Sequence, residues 1–221
     1  MTKSPIIKDF RTLVLAPKLK GVFLDLDNCL YRYEPCHHAA LVLVKKEMEK
    51  MLGKTENFFE QYKNAQISVK KRIPKDAASH SRILYFQSMF ETHGKGSMIS
   101  ESLELEDLYW ETFMKKMVLV RGARKFLTEC KKKKIQVVIV SDMTTAIQFS
   151  KLTKLRIDRF VDLVVTSEEA GVEKPDKKIF QLALEKTGLK SSEVVMIGDS
   201  FTKDIQGAEA LGIDAIQIVH E

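Results

Sequence analysis

The stretch Val22-Phe23-Leu24-Asp25-Leu26-Asp27 sets an unbroken apolar run against two carboxylates. Apolarity without alternation suits a strand buried on both faces, as parallel strands are. Four further runs of the same kind follow at 137–141, 163–167, 194–199 and 215–219. Between the last four, apolar residues at helical spacing occupy 145–155, 177–187 and 202–211. Gly188 and Gly212 stand where two of these helices would stop. Strand–helix alternation of this kind predicts an α/β fold, a parallel sheet with helices on both faces.

The segment between the first two runs reads differently. From about 31 to 135 no convincing strand pattern occurs. Helical patterns lie at 38–52, 56–70, 77–93 and 103–117, and Phe58, Tyr62, Phe86, Tyr109, Trp110 and Phe113 would help form their core. A crossover between parallel strands normally needs one helix. The excess is read as an inserted helical domain of roughly 80 residues. The expected division is a core of residues 1–33 and 119–221 with a helical insert at 34–118. Gly94-Lys95-Gly96-Ser97 completes neither a P-loop nor a dinucleotide fingerprint and is read as a loop.

Composition narrows the function classes. The chain has 221 residues, 44% apolar and 30% charged, which suits a sizeable core and argues against disorder. No apolar run approaches the ~18–20 residues that span a bilayer. Lysines interrupt the apolar stretch of residues 1–20, so a secretory signal is not expected. Cys29, Cys36 and Cys130 form no CxxC pair, which argues against a disulfide framework and a structural zinc site. A cytoplasmic protein is expected. Lys and Arg number 36 against 30 Asp and Glu, a net charge of +6. The densest basic run, 131–134, closes a helical pattern, where cations complement the helix dipole. No aromatic residues interleave with it to stack bases. Neither nucleic acid nor a membrane is expected as a partner.

Chemistry gathers at the run ends, where open α/β sheets bind ligands. Asp25 and Asp27 close the first run, Ser141 and Asp142 the second, and Asp199 the fourth, with Asp204 five residues on. Lys174 follows the third run in Glu173-Lys174-Pro175-Asp176. If the first strand is central, these groups share one crevice. Four carboxylates together repel one another, and a divalent cation relieves the repulsion. Oxygen-only ligation points to Mg²⁺ rather than zinc. Metal, Lys174 and the Ser141 hydroxyl together suit a bound phosphate. Asp25 and Asp27 can divide the work, one as nucleophile, the other as general acid and then base. A strand period of two would put both on one face, unless a bend after Asp25 separates them.

These motifs resemble those of the haloacid dehalogenase-like (HAD) hydrolase superfamily, in particular its subfamily I phosphatases. FLDLDNCLY at 23–31 is similar to the family's DxDx[TV] strand end, VVIVSD to its Ser/Thr strand end, EKPDKKIF to its lysine motif, and Gly198-Asp199 with Asp204 to its acidic pair. The resemblance implies a Rossmann-like doubly wound core, with the five runs in the order 5-4-1-2-3, and an α-helical cap that closes over the site. It implies Asp25 as nucleophile and Mg²⁺ ligand. Asp27 would be the general acid/base, with its backbone carbonyl on the metal. Ser141 and the backbone N–H groups of Leu26 and Asp142 would bind the phosphoryl group, with Lys174 neutralising charge. Asp199 would ligate the metal, and Asp204 would orient a metal-bound water or Lys174. The implied activity is Mg²⁺-dependent hydrolysis of a small phosphorylated metabolite, a nucleoside or sugar monophosphate, through a phospho-Asp25 intermediate. A monomer or homodimer is expected.

Two positions depart from the pattern. Cys29 stands where Thr or Val is usual, a form similar to that of some pyrimidine 5′-nucleotidase-like members. Asp142 replaces an Asn, and its side chain is expected to point away from the phosphate. The alternatives are a 2-haloacid dehalogenase, a phosphomutase, and a catalytically idle binding protein. Asp27 and the Asp199/Asp204 pair weigh against the dehalogenase, which attacks carbon and needs neither. Arg82, in an apolar helical segment, is a candidate for contacting an anionic substrate. His37 and His38 are compatible with a helix start or with lining the entrance.

Overall fold

The computed structural model describes residues 4–11 and 13–220. The chain divides into two compact units. One is Tyr33–Met117; the other holds the residues up to Arg32 and those from Val118 onward. Tyr33 thus belongs with the helices and Val118 with the sheet, the reverse of the sequence-based division.

The helical unit contains α1 (Tyr33–Leu52), α2 (Phe58–Arg72), α3 (Arg82–Thr92) and α4 (Ile99–Lys116). α1 packs on α4, and α3 packs on both α2 and α4. α1 starts five residues before its apolar periodicity does. Pro35 falls in its first turn, where a missing N–H costs no helical bond. The pattern at 77–93 is split at Ser81, which is extended (φ −63°, ψ 122°) and whose hydroxyl accepts from the Leu84 N–H. That cap restarts the helix after a 3₁₀ turn, Ala77–His80. Tyr62, Tyr85, Phe86, Phe90, Tyr109 and Phe113 are buried between the helices. Several rings meet edge to face, among them Tyr62 and Tyr85 at 5.6 Å and Tyr109 and Trp110 at 5.0 Å. This is the arrangement the ring quadrupole favours.

The other unit is a six-stranded parallel sheet flanked by helices. Its strands are β1 (Ile6–Ile7), β2 (Gly21–Leu24), β3 (Gln136–Ser141), β4 (Leu163–Thr166), β5 (Val194–Gly198) and β6 (Asp214–Ile218). Their order is β1-β6-β5-β2-β3-β4, with every pair parallel. The five runs therefore stand in the order 5-4-1-2-3, and β2 is central. The edge strand β1 is an addition. Two residues are too few to carry a periodic signal, and its place depends on bonds from Gln217 N to Pro5 O (2.9 Å) and Val219 N to Ile7 O (2.8 Å).

The connecting helices are α5 (Ala123–Lys132), α6 (Thr145–Lys154), α7 (Ser167–Ala170), α8 (Lys177–Thr187) and α9 (Gly207–Glu209). Asp176 caps α8 by accepting from Lys178 N, and Gly188 ends it at φ +67°. Phe23, Val138, Val140, Val165 and Met196 from the sheet pack with Ile179, Phe180 and Ala183 of α8 into one buried cluster. The expected helix at 202–211 is mostly a π-helical turn, Phe201–Gln206, which α9 follows. Among the described residues no helix is long and apolar enough to cross a membrane.

Candidate active site

β2 ends at Leu24, which is level with Ile139 of β3 and Ile197 of β5. Asp25 is the next residue, and its N–H extends the ladder by one bond, to Ile197 O at 3.0 Å. The strand pleat therefore does not govern Asp27. Asn28 turns the chain with φ +58°. Asp25 is thus delivered to the carboxyl edge of the sheet by strand geometry, and Asp27 by a turn.

Lys174 reaches the same place from the loop after α7. Its ammonium donates to Asp25 Oδ1 at 2.7 Å, Asp204 Oδ1 at 2.6 Å and Val140 O at 3.0 Å. The widened turn after β5 carries Asp204. There Ser200 O accepts from both Asp204 N (2.9 Å) and Ile205 N (3.3 Å). Ser200 N in return donates to Asp204 Oδ2 at 2.9 Å. π-turns recur at functional sites. Gly198 is required for this approach: a Cβ there would lie 2.3 Å from the Asp204 carboxyl carbon.

Carboxylate oxygens of Asp25, Asp199 and Asp204 lie within 4.8 Å of one another. Among the described residues these three carboxylates face one ammonium, so two negative charges lack a counter-charge there. Burial pushes the Asp25 carboxyl well above its ordinary value; Lys174 opposes this, and Asp204, Asp199 and Asp27 add to it. Burial, then Asp204, also raises Asp199. Burial alone would lower Lys174, but Asp204 and Asp25 hold it well above its ordinary value. An oxygen-only donor set short of positive charge fits a hard divalent ion such as Mg²⁺. The Asp27 carboxylate is not part of this cluster.

Asp27 is held instead by Lys151 of α6, whose ammonium donates to both carboxylate oxygens, at 2.7 and 2.8 Å. The Tyr31 hydroxyl donates to the same carboxylate. Lys151 is wholly buried. Sequence reasoning missed it. The available signal was its position: Gln148, Lys151, Leu152 and Leu155 share one helical stripe, and all four are buried.

Ser141 closes β3, and its Oγ accepts from Gln148 Nε2 at 2.7 Å. The Asp142 side chain turns from the site toward its neighbours. Oδ1 accepts from Lys174 N at 2.9 Å, and Oδ2 pairs with Lys203 at 2.7 Å. Lys203 is a second residue that the sequence reading missed, although it lies inside the Asp199–Asp204 motif. Among the described residues, neither the Leu26 nor the Asp142 amide donates to another backbone group. Cys29 is buried, its Sγ 3.5 Å from Ile197 O, and burial with nearby Asp25 pushes its thiol well up. It packs; it is not poised to react.

Arg82 lies inside the helical unit, 3% exposed. Its guanidinium donates to His80 O and, at 2.7 Å, to the Tyr33 hydroxyl, and it stands 5.0 Å from the Tyr109 ring centre and 5.1 Å from that of Trp110. His37 is half-buried and bonds the Tyr109 hydroxyl through Nδ1 at 2.7 Å; His38 is exposed and stacks on Phe59.

A family model for haloacid dehalogenase-like hydrolases matches residues 19–212. The chain belongs to the haloacid dehalogenase-like hydrolase family. A ribulose-1,5-bisphosphate 5-phosphatase of Halopiger xanaduensis is 38% identical over 199 residues, 89% of this chain and 83% of that protein. A glyceraldehyde 3-phosphate phosphatase of Methanothermobacter thermautotrophicus is 41% identical over 95 residues, 43% of this chain and 42% of that protein. A 2-haloacid dehalogenase of Pseudomonas syringae has the same fold, with a TM-score of 0.75 at 20% identity over 90% of this chain and 86% of that one. This HAD-like chain is therefore an enzyme of the hydrolase class, and the Halopiger and Methanothermobacter relatives are phosphatases by name. The fold itself is shared with a dehalogenase, so the reaction has to be argued from side chains.

Proposed function

We propose that the protein is a Mg²⁺-dependent phosphatase that hydrolyses a small sugar phosphate through a phospho-Asp25 intermediate. The observation that carries this reading is the charge imbalance at the end of β2 and β5. Asp25, Asp199 and Asp204 face Lys174 alone, beside the Ser141 hydroxyl and the amides of Leu26 and Asp142. The helical unit is read as the cap. Asp25, Asp199 and the Asp27 carbonyl would hold Mg²⁺, which when bound supplies charge stabilisation for the phosphoryl oxygens.

Asp25 Oδ attacks phosphorus, forming an aspartyl-phosphate as the bond from phosphorus to the sugar oxygen breaks. Asp27, backed by Lys151, passes a proton to the departing oxygen. It then takes one from the water that attacks phosphorus, and the acyl phosphate opens to restore Asp25 and release phosphate. Ser141 donates to a phosphoryl oxygen, and the Leu26 and Asp142 amides and Lys174 complete the cradle. The sugar phosphate class is supported by the relatives named for ribulose bisphosphate and glyceraldehyde phosphate. The three cysteines are free and buried, which suits the cytoplasm.

The test is phosphate release from a panel containing ribulose 1,5-bisphosphate, glyceraldehyde 3-phosphate, phosphoserine and nucleoside monophosphates, with and without Mg²⁺. The expected result is Mg²⁺-dependent release from a sugar phosphate. Asp25→Asn should lose roughly a million-fold in kcat, the scale of removing a nucleophile. Silence on every phosphate ester, or halide release from 2-chloropropionate, would overturn the reading.

A further inference from the structure

Gln148 lies outside every motif of the sequence, yet it is wholly buried against the end of β3. Its Nε2 donates to Ser141 Oγ at 2.7 Å and to the Asp142 carbonyl at 3.0 Å. Its Oε1 is buried with no hydrogen-bond partner. These facts fix the direction of each bond. A carbonyl only accepts, so the NH₂ end of the amide must face Asp142 O. An NH₂ group only donates, so Ser141 Oγ must accept from it. A flipped amide would set Oε1 against the Asp142 carbonyl, two acceptors at 3.0 Å. The side chain keeps an orphaned oxygen rather than take that arrangement.

The consequence falls on the Ser141 proton. With a lone pair of Oγ engaged by Gln148, the O–H must point elsewhere. Among the described residues the acceptor it meets is the Asp142 carbonyl at 3.5 Å, well beyond the usual 2.7–2.8 Å of an O–H···O bond. The hydroxyl is thus left short of an acceptor at the edge of the sheet where Asp25 stands.

We propose that Gln148 is a positioning residue: it compels the Ser141 hydroxyl to act as a donor to the transferring phosphoryl group. The proposal rests on the phosphatase reading above and adds the residue that gives the hydroxyl its polarity. A donor already turned toward the developing charge needs no reorientation when the charge forms. Gln148 and Lys151 lie one turn apart on the buried face of α6, so one helix aligns both Ser141 and Asp27.

A double-mutant cycle tests this. Gln148→Met and Gln148→Glu are made alone and with Ser141→Ala. Each is assayed for kcat and KM with p-nitrophenyl phosphate and Mg²⁺, for inhibition by orthovanadate, and for thermal unfolding. Ser141→Ala should lower kcat/KM about 100-fold, the scale of losing one preorganised donor. Gln148→Met should lower kcat about 10-fold and weaken vanadate inhibition, and it should cost nothing further in kcat beside Ser141→Ala. Gln148→Glu, whose carboxylate accepts a hydrogen bond from the Ser141 hydroxyl and so turns it from the phosphoryl group, should fall at least to the level of Ser141→Ala. Equal losses with and without Ser141 would overturn the proposal, because a packing role acts in both backgrounds. Failure of both variants to fold would also overturn it, making Gln148 a core support. A wild-type enzyme inactive on phosphate esters would remove the phosphatase reading and this proposal with it. An active enzyme with an additive cycle would remove this proposal alone.

Discussion

Both units of the molecule bury cations, and Lys174 of one and Arg82 of the other are held in opposite ways. Lys174, 4% exposed in the sheet unit, is clasped by carboxylates of Asp25 and Asp204. Arg82, 3% exposed in the helical unit, is clasped by phenol oxygens, a backbone carbonyl and ring faces. Guanidinium is delocalised and weakly hydrated, so neutral aromatic surroundings suit it. An ammonium is strongly hydrated and needs formal negative charge when buried. The aromatic arrangement brings no carboxylate into an ion pair with the guanidinium, and it leaves Arg82 Nε buried without a hydrogen-bond partner among the described residues. The carboxylate arrangement overshoots, leaving negative charge that a metal ion can settle. Burial of a charge does not mark a reactive site; the imbalance of its partners does.

Lys174→Met should break this contrast most. It strands Asp25 and Asp204, and unfolding in urea at pH 7 should show a loss of about 3–5 kcal/mol, with hydrolysis abolished. A stable, active variant would mean that the carboxylates do not depend on this ammonium.

The pH response of the helical unit sharpens the comparison. Burial, then the nearby Arg82, lowers His37 from 6.5 to about 4, with a small contribution from His38. Between those values the unfolded chain binds a proton that the folded unit does not. His37 therefore adds its full stability above pH 6.5, and that stability drains away as pH falls toward 4, by up to about 3 kcal/mol. Unfolding at pH 7 and pH 4.5 checks this. His37→Gln should flatten the dependence, and a variant as acid-sensitive as the parent would show that other groups cause it.

The smallest effect belongs to Arg82→Met. It forfeits cation–π contacts and the bonds to His80 O and the Tyr33 hydroxyl but breaks no ion pair, so about 1–2 kcal/mol is expected in the same urea assay. A loss equal to that of Lys174→Met would erase the distinction between the two cations.

The strand runs and the groups at their ends were legible because apolar continuity and chain position are local properties. So was α8, bounded by Asp176 and Gly188. The strand β1 was not, since two residues display no period. Nor was the π-turn: at 202–211 the apolar spacing of a helix survives a widened turn. Gln148 and Lys151 stayed hidden for a different reason. A polar residue on a helix reads as solvent-facing, and only a distant partner makes its burial tolerable.

The amino-acid order alone determined a parallel α/β sheet, a helical insertion, and which acidic, hydroxyl and amine groups sit at strand ends. It did so because hydrophobic periodicity is written within a few turns of chain. Tertiary structure alone decided the pairings: Lys151 with Asp27, Lys203 with Asp142, Gln148 with Ser141, and Lys174 between Asp25 and Asp204. These join residues on different elements of the fold, and for the buried Gln148, Lys151 and Lys174 the pairing is what makes a polar group tolerable away from water.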